Sequence, residues 1–265
     1  MNRTKRINSI LKTKNLDSSI TGIKTFKLSD LNLPTKSNFP LPSKLRLGHL
    51  TEKIVSELIK LSTNYTVLYE NVQLIEDKIT LGEIDFILKE NDTNQILHVE
   101  LAYKFYLFDP SISSEEINNW IAPNRNNSLQ GMLEKLKRKQ FPLLYHTSAK
   151  ATLKNIDINK ASQALCLLAS LFIPYESKAS FSPAYAKAIK GYYLNMETFM
   201  YLDDTGKNYY IPQKKEWGME PTDNETWTDL AGVKEGIRAS INEKRAVLCW
   251  QKHKDTYSSF FIIWW

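Results

Sequence analysis

The chain has 265 residues, of which 42% are hydrophobic and 24% charged, so it can bury a core and is too apolar to be disordered throughout. Its formal net charge of +6 is too small for a protein that binds nucleic acid over its whole surface. Two cysteines and four histidines, in spacings unlike those of zinc ligands, argue against a disulfide framework and a structural zinc ion.

The first 46 residues are predicted to form a basic, extended N-terminal arm. Residues 1–50 carry ten Lys and Arg against two Asp, and the stretch 33–44 is rich in Pro, Ser and Lys. Such an arm either contacts phosphates or solubilises the chain, and the second interpretation is the commoner one. The first 14 residues lack the apolar segment of a secretion signal, so we expect a cytoplasmic protein.

An amphipathic helix is predicted over residues 47–61, because apolar residues recur there three, four and seven positions apart. Three segments rich in β-branched and aromatic residues follow at 65–75, 79–90 and 95–108, and they predict an antiparallel meander. The turn-forming residues Asn91 to Asn94 separate the last two strands.

Helical patterns return at residues 113–120 and 128–140, and the apolar stretch 161–173 fits either a strand or a helix. The element order up to residue 140 is α-β-β-β-α, which predicts an α/β fold. We place the core of this fold in residues 47–144 and expect residues 145–265 to complete or decorate it.

No apolar run reaches the roughly 20 residues that span a bilayer, so we expect no membrane contact. Residues 260–265 are predicted to belong to a last strand that closes the sheet or core.

The meander places two acidic residues opposite each other. Counting outward from the Asn91–Asn94 loop pairs Asp85 with Glu100 across the hairpin. Facing Cβ atoms lie about 4.5–5.5 Å apart, where like charges destabilise a sheet. A shared cation, a protonated carboxyl or exposure to water would relieve the repulsion. The face that they share also carries Glu83, His98, Ala102 and Lys104.

A divalent ion would give this arrangement a use. Oxygen ligands suit Mg²⁺ or Mn²⁺, which take one or two carboxylates and leave positions for water and for the phosphate oxygens of a substrate. Lys104 would orient the attacking water and offset negative charge on the phosphorus oxygens. The predicted substrate is therefore a phosphate ester.

The pattern Gly48-x-x-x-Glu52, Gly82-Glu83-x-Asp85 and Glu100-x-x-x-Lys104 resembles the core of the PD-(D/E)XK nuclease superfamily. This resemblance implies an αβββαβ core with a mixed sheet. It also implies metal binding by Glu52, Asp85 and Glu100, with Lys104 assisting the attacking water. The superfamily pattern is usually Glu-x-Lys, and Ala102 stands where that lysine is expected.

More narrowly, the segments LGHLTE, LGEIDFIL and HVELAYKFYL, followed by WIAPNRNNSL and KRKQFPLL, are similar to an uncharacterised bacterial family, domain of unknown function 1853. That family has been grouped with the same superfamily. The resemblance extends over most of the chain after Leu45.

Several of these residues have simpler explanations. Asp85 and Glu100 can be explained as solvated carboxylates on an open sheet face. Glu52 can be explained as a solvent-facing helix residue, since it lies away from the apolar stripe. Glu83 fits a cross-strand ion pair with Lys104 as well as a supporting residue of a metal site. His98 is better explained as a hydrogen-bonded histidine within the sheet than as a supporting partner of Glu100.

The hypothesis with most support is a metal-dependent nuclease that hydrolyses nucleic acid, with DNA the expected substrate. The alternative is an inactive protein of the same fold that binds nucleic acid or another protein. Lys135, Arg138 and Lys139 could contact a phosphate backbone, although a charge run on a helix is usually a solvated face. The sequence contains no phosphate-binding loop, serine-hydrolase elbow or zinc-protease motif. It does not indicate the oligomeric state.

Overall fold

The computed structural model describes residues 2–35, 39–42 and 44–265. The structure is α/β, and over these residues it contains a mixed sheet of nine strands. The chain divides into two compact units, each made of separate stretches. The meander unit comprises residues 15–103 and 131–168, and the C-terminal unit comprises residues 1–14, 104–130 and 169–265.

The helices, over the described residues, are α1 (Arg3–Lys12), α2 (Ser18–Thr21), α3 (Leu47–Leu61), α4 (Leu129–Lys135), α5 (Thr147–Thr152), α6 (Pro183–Ala186), α7 (Met196–Tyr201) and α8 (Leu230–Asn242). The strands are β1 (Tyr65–Glu76), β2 (Ile79–Glu90), β3 (Ile96–Phe108), β4 (Trp120–Ile121), β5 (Ser162–Pro174), β6 (Ile189–Asn195), β7 (Lys207–Tyr210), β8 (Val247–His253) and β9 (Thr256–Ile263). Strands β3 and β5 each contribute residues to both units.

In the meander unit, α3 and the meander β1-β2-β3 lie where the sequence predicts them. Helix α3 buries the apolar stripe that predicted it and contacts β1. The stretch 161–173, for which strand and helix remained open, is the strand β5. A strand suits it because nine consecutive residues, Ala164 to Phe172, are buried, which requires cover on both faces.

The predicted register of β2 with β3 is confirmed along their paired length, from Lys89↔Ile96 to Phe86↔Val99. Glu90 also donates its N–H to the carbonyl of Gln95 at 2.9 Å, as the four-residue loop requires. The hairpin loop therefore does determine which side chains face each other.

Helix α4 is shorter than the predicted helix 128–140, because its last part changes geometry. Residues Leu136–Gln140 form a π-helical turn, and Phe141–Tyr145 continue as a 3₁₀ turn. Leu143 and Leu144 then pack with Ile87 of β2 in a buried apolar cluster. The segment from 136 to 145 thus covers a face of β2 that the sequence suggested was open and polar.

Within the C-terminal unit, the strand order is β5-β6-β9-β8-β7. Strand β6 pairs parallel with both β5 and β9, whereas β8 pairs antiparallel with both β9 and β7. A buried cluster fills this region, and it includes Phe199, Tyr209, Val233, Ile237, Val247, Cys249, Phe260 and Ile262. Residues 256–263 form the predicted last strand.

The N-terminal segment differs from the extended arm that its charge suggests. Residues 3–12 form α1, which buries Ile7 and Ile10, and residues 28–31 form a 3₁₀ turn that buries Leu28 and Leu31. A few apolar residues at helical spacing are enough to pack this part, even among many lysines and arginines. The Pro/Ser/Lys-rich stretch includes residues 36–38 and 43, which lie outside the described residues.

The helix predicted over residues 113–120 is also wrong. Only a 3₁₀ turn forms, at Glu116–Asn119, and the chain then enters β4, where Trp120 pairs with Phe108. The indole of Trp120 is fully buried and lies against the rings of Phe108 and Tyr185. This tertiary packing outweighs the local helical preference.

Across the part of the chain that the structure describes, no helix is both long enough and apolar enough to cross a membrane.

Candidate metal site on strands β2 and β3

The regular pairing of β2 with β3 ends just before the predicted acidic pair. The last paired residues are Phe86 and Val99, and one step further the same register sets Asp85 opposite Glu100. There the carboxylate of Asp85 replaces a ladder contact, since its Oδ2 accepts the N–H of Leu101 at 2.7 Å. The acidic pair therefore lies where the two strands stop pairing through their backbones.

On its other side, β2 pairs with β1, and the register from Glu70↔Phe86 to Val72↔Ile84 sets Asn71 across from Asp85. Asn71 has a φ of 52°, a left-handed conformation that is unusual within a strand. The β1 backbone across from Asp85 is thus in an unfavourable conformation, and such conformations concentrate at functional sites.

The Asp85 carboxyl is in an environment that resists ionisation. Burial makes the largest contribution and raises its pKa from 3.8 to about 8 together with the negative charges of Glu100, Glu52 and Glu83. The N–H of Leu101 acts in the opposite direction. A positive ion bound beside Asp85 would reverse this balance, because it would favour the ionised form.

Glu100 is not a solvated carboxylate, since only 2% of its surface is exposed. Its Oε1 lies 2.8 Å from Nε2 of His98, which is completely buried. The His98 ring packs edge-on against Phe141, with centroids 5.4 Å apart. His98 is therefore both a hydrogen-bonded sheet histidine and a direct partner of Glu100.

Two glutamines that the sequence reasoning missed complete this arrangement. Gln140, at the end of the π-helical turn, donates to Glu100 Oε2 at 3.3 Å and to the carbonyl of Glu83 at 3.2 Å. Gln163 of β5 contacts His98 Nδ1 at 3.2 Å and donates to the carbonyl of Phe141 at 2.7 Å. Gln163 had a visible signal, because it is a polar residue at the start of an apolar strand.

Glu52 and Glu83 lie within electrostatic range of Asp85 but have partners of their own. Glu52 is 31% exposed, and its Oε2 lies 3.0 Å from Nδ1 of His49 in the same helix. Glu83 Oε2 accepts from the amide of Gln73 at 3.3 Å. Among residues 2–35, 39–42 and 44–265, no three His, Cys, Asp or Glu side chains are positioned to enclose a metal ion.

As placed, Asp85 and Glu100 thus form a pair of candidate ligands, not a closed set of three. This pair still fits Mg²⁺ or Mn²⁺, because these ions are commonly held by one or two carboxylates with water in the remaining positions. The buried, charge-raised carboxyl of Asp85 is the observation that favours a cation here.

The predicted basic residues have different positions. Lys104 is half-buried and lies four residues after Glu100 on β3, so about 13 Å separates their Cα atoms along an extended strand. Lys135, Arg138 and Lys139 are all exposed, on α4 and on the π-helical turn that follows it.

Comparison with protein families gives one match. A family model described as a domain of unknown function (DUF1853) matches residues 8–256. The chain belongs to this family. No curated protein and no solved structure matches the chain significantly. The range that matches DUF1853 includes Asp85, Glu100 and both glutamines, so the site lies inside the family domain.

Proposed function

We propose that this protein is a metal-dependent nuclease, in which Asp85 and Glu100 hold Mg²⁺ or Mn²⁺ and the substrate is nucleic acid, with DNA the expected form. The observation that carries the proposal is the pair of carboxylates at the point where β2 and β3 stop pairing, with the pKa of Asp85 raised by its acidic neighbours. Without a ligand, such a cluster only destabilises the fold.

Three further features support the proposal. With the short elements β4 and α5 set aside, the order α3, β1-β2-β3, α4 and β5 is consistent with the αβββαβ core that the sequence resemblance implies. Glu100 is buried beside fixed hydrogen-bond partners, as expected of a ligand that must keep one orientation. A π-helical turn supplies one of these partners, and such turns are frequent at functional sites.

A bound Mg²⁺ or Mn²⁺ would activate water for attack on phosphorus and offset the charge that develops on the phosphoryl oxygens. The chain's own residues would bind and orient. Asp85 and Glu100 supply negative oxygens, while the N–H of Leu101 restricts the rotation of the Asp85 carboxylate. The roles of Glu52 as a third ligand and of Lys104 beside the water stay predictions.

A second candidate is an inactive protein of the same fold that binds nucleic acid or another protein. This candidate is favoured because both oxygens of Glu100 already have hydrogen-bond partners, one in His98 and the other in Gln140. Ala102, at the position where the superfamily usually has its lysine, favours it as well. Metal binding and strand cleavage separate the two candidates.

The test combines Mn²⁺ titration calorimetry with cleavage of end-labelled single-stranded and duplex DNA by the full chain. We expect the wild type to bind Mn²⁺ and to cut DNA with Mg²⁺ or Mn²⁺ but not with EDTA. Asp85→Asn and Glu100→Gln should lose both Mn²⁺ binding and DNA cleavage, because each removes the negative charge of a ligand and keeps the side-chain volume.

Asp92→Asn is the matched control, since Asp92 is an exposed acidic residue in the hairpin loop of the same two strands. It should behave as the wild type does. A wild type that binds no Mn²⁺ at millimolar concentration and cuts no DNA contradicts the proposal. DNA binding that persists in that case supports the second candidate.

A further inference from the structure

Glu100 is connected to β5 through a series of hydrogen bonds, and the donor and acceptor of each can be identified. The series begins at Gln163, whose side-chain nitrogen lies 2.7 Å from the carbonyl oxygen of Phe141. A backbone carbonyl can only accept, so the group that faces it must be the NH₂ of the amide and not its oxygen. The orientation of the Gln163 amide is therefore fixed by the backbone.

The same nitrogen lies 3.2 Å from Nδ1 of His98. Because an NH₂ group only donates, Nδ1 must offer a lone pair, and the proton of the neutral imidazole must lie on Nε2. Nε2 is the nitrogen that lies 2.8 Å from Oε1 of Glu100. His98 thus donates to Glu100 through Nε2, while Gln163 donates to its other ring nitrogen.

Water does not compete for these contacts, since His98 is 0% and Glu100 2% exposed. The second oxygen of Glu100 accepts from Gln140, whose amide is oriented in a similar way by the carbonyl of Glu83. Two amides, each anchored on a backbone carbonyl, therefore set the plane of one carboxylate. Mutation of groups that hydrogen-bond a metal ligand commonly lowers metal affinity by 10–100-fold, because these groups orient the ligand.

We infer that Gln163 is a positioning residue for Glu100: it holds His98 in the Nε2–H form, and His98 then fixes the carboxylate in the orientation that binds the metal. The part that concerns metal affinity rests on the proposed function. The part that concerns the tautomer of His98 does not.

The tautomer can be read directly from ring ¹H–¹⁵N correlations in protein labelled with ¹⁵N-histidine. The other histidines, His49, His146 and His253, are at least partly exposed, and single replacements by Gln assign them and leave His98 by elimination. We expect the wild-type His98 to carry its proton on Nε2. In Gln163→Glu the new carboxylate can only accept, so a proton should move onto Nδ1.

Gln163→Met keeps the length of the side chain without its hydrogen bonds, and it covers the case in which Gln163→Glu does not fold. We expect it to weaken Mn²⁺ binding about tenfold, while the melting temperature measured without metal changes much less than it does in a core variant. Gln251→Met is the matched control, because Gln251 is also a half-buried strand glutamine but lies in the C-terminal unit. It should bind Mn²⁺ as the wild type does.

Two results overturn the inference. One is a wild-type His98 with its proton on Nδ1, and the other is a Gln163→Met variant whose His98 signals and Mn²⁺ affinity both match the wild type. If the wild type binds no Mn²⁺, the proposed function fails, and the position of the His98 proton alone then decides the inference.

Discussion

Two antiparallel hairpins of this protein, β2–β3 and β8–β9, differ in what they bury. Strands β8 and β9 pair without interruption from Val247↔Ile262 to His253↔Thr256, and their buried side chains are almost all apolar. Strands β2 and β3 pair over four residues and then separate where Asp85 and Glu100 lie. The first hairpin stabilises the fold. The second lowers the stability because it buries acidic side chains, as sites that bind a ligand often do.

Removal of a ring from the regular hairpin should have the largest effect. Phe260 of β9 is fully buried, and its ring stacks on Tyr192 with centroids 5.0 Å apart. Phe260→Ala should lower the free energy of unfolding by about 3–5 kcal/mol, because it leaves a cavity that the core cannot fill. Urea unfolding measures this, and a loss below about 1 kcal/mol would show that this hairpin is not a main source of stability.

Neutralisation of Asp85 should raise the free energy of unfolding instead of lowering it. Its pKa of about 8 in the folded chain lies above the usual 3.8, so the folded state binds the extra proton between these values. The unfolding free energy therefore falls as the pH rises through this range. In EDTA at about pH 9, Asp85→Asn should be a few kcal/mol more stable than the wild type, and near pH 4 the difference should disappear.

Urea unfolding over this pH range measures the effect of Asp85→Asn, with Asp92→Asn as the control. A wild-type stability that does not fall with pH relative to Asp85→Asn would mean that Asp85 is ionised without cost, and the contrast between the hairpins would then be lost.

A methyl group added at Gly82 should have a smaller effect. A Cβ there would lie 2.5 Å from Cδ1 of Leu143 and 3.4 Å from Oε1 of Gln140, so the Leu143 side chain must shift. We expect Gly82→Ala to cost about 1–3 kcal/mol and to weaken Mn²⁺ binding, since the new methyl group also crowds the Gln140 amide that contacts Glu100.

The control for Gly82→Ala is Gly48→Ala in α3, where a new Cβ meets nothing within 4 Å. It should keep or slightly raise stability, because Ala favours a helix. Equal thermal melts and Mn²⁺ affinities for the two variants would show that the close contact at Gly82 has no role.

The smallest effect on stability should come from the exposed basic residues. Replacement of Lys135, Arg138 and Lys139 by Gln should leave the thermal melt unchanged, since all three are exposed. If they contact DNA, each lost contact should reduce the slope of log affinity against log salt by about 0.9. The control replaces Arg238, Lys244 and Arg245, which are exposed in the C-terminal unit, and an equal change of slope there would assign the effect to net charge alone.

The sequence was sufficient for the elements whose signal is local. Helix α3 and the strands β1 to β3 follow from apolar spacing, and the Asn91–Asn94 loop determined the register that sets Asp85 opposite Glu100. For the same reason the acidic pair could be named in advance. The resemblance to DUF1853, carried by segments in α3, β2 and β3 together with WIAPNRNNSL and KRKQFPLL, is confirmed by the family match.

What the sequence did not indicate depends on contacts between distant residues. The burial of Glu100 comes from the segment that follows α4, and Gln163 reaches His98 from 65 positions away. Trp120 became a strand residue because aromatic rings surround it, and α1 packs although its charge suggested an exposed arm. In each case contacts with distant residues outweigh the local preference of the sequence.

Because of the π-helical turn at Leu136–Gln140, the position of Gln140 depends on the number of residues in this region as much as on which residues they are. Such a turn contains one residue more than a regular helix of the same rise. Exchange of the outward-facing Lys137 for another polar residue leaves Gln140 in place, but deletion of one residue would rotate everything beyond it by about 100°. Gln140 would then point away from Glu100, so insertions and deletions here are far more damaging than substitutions.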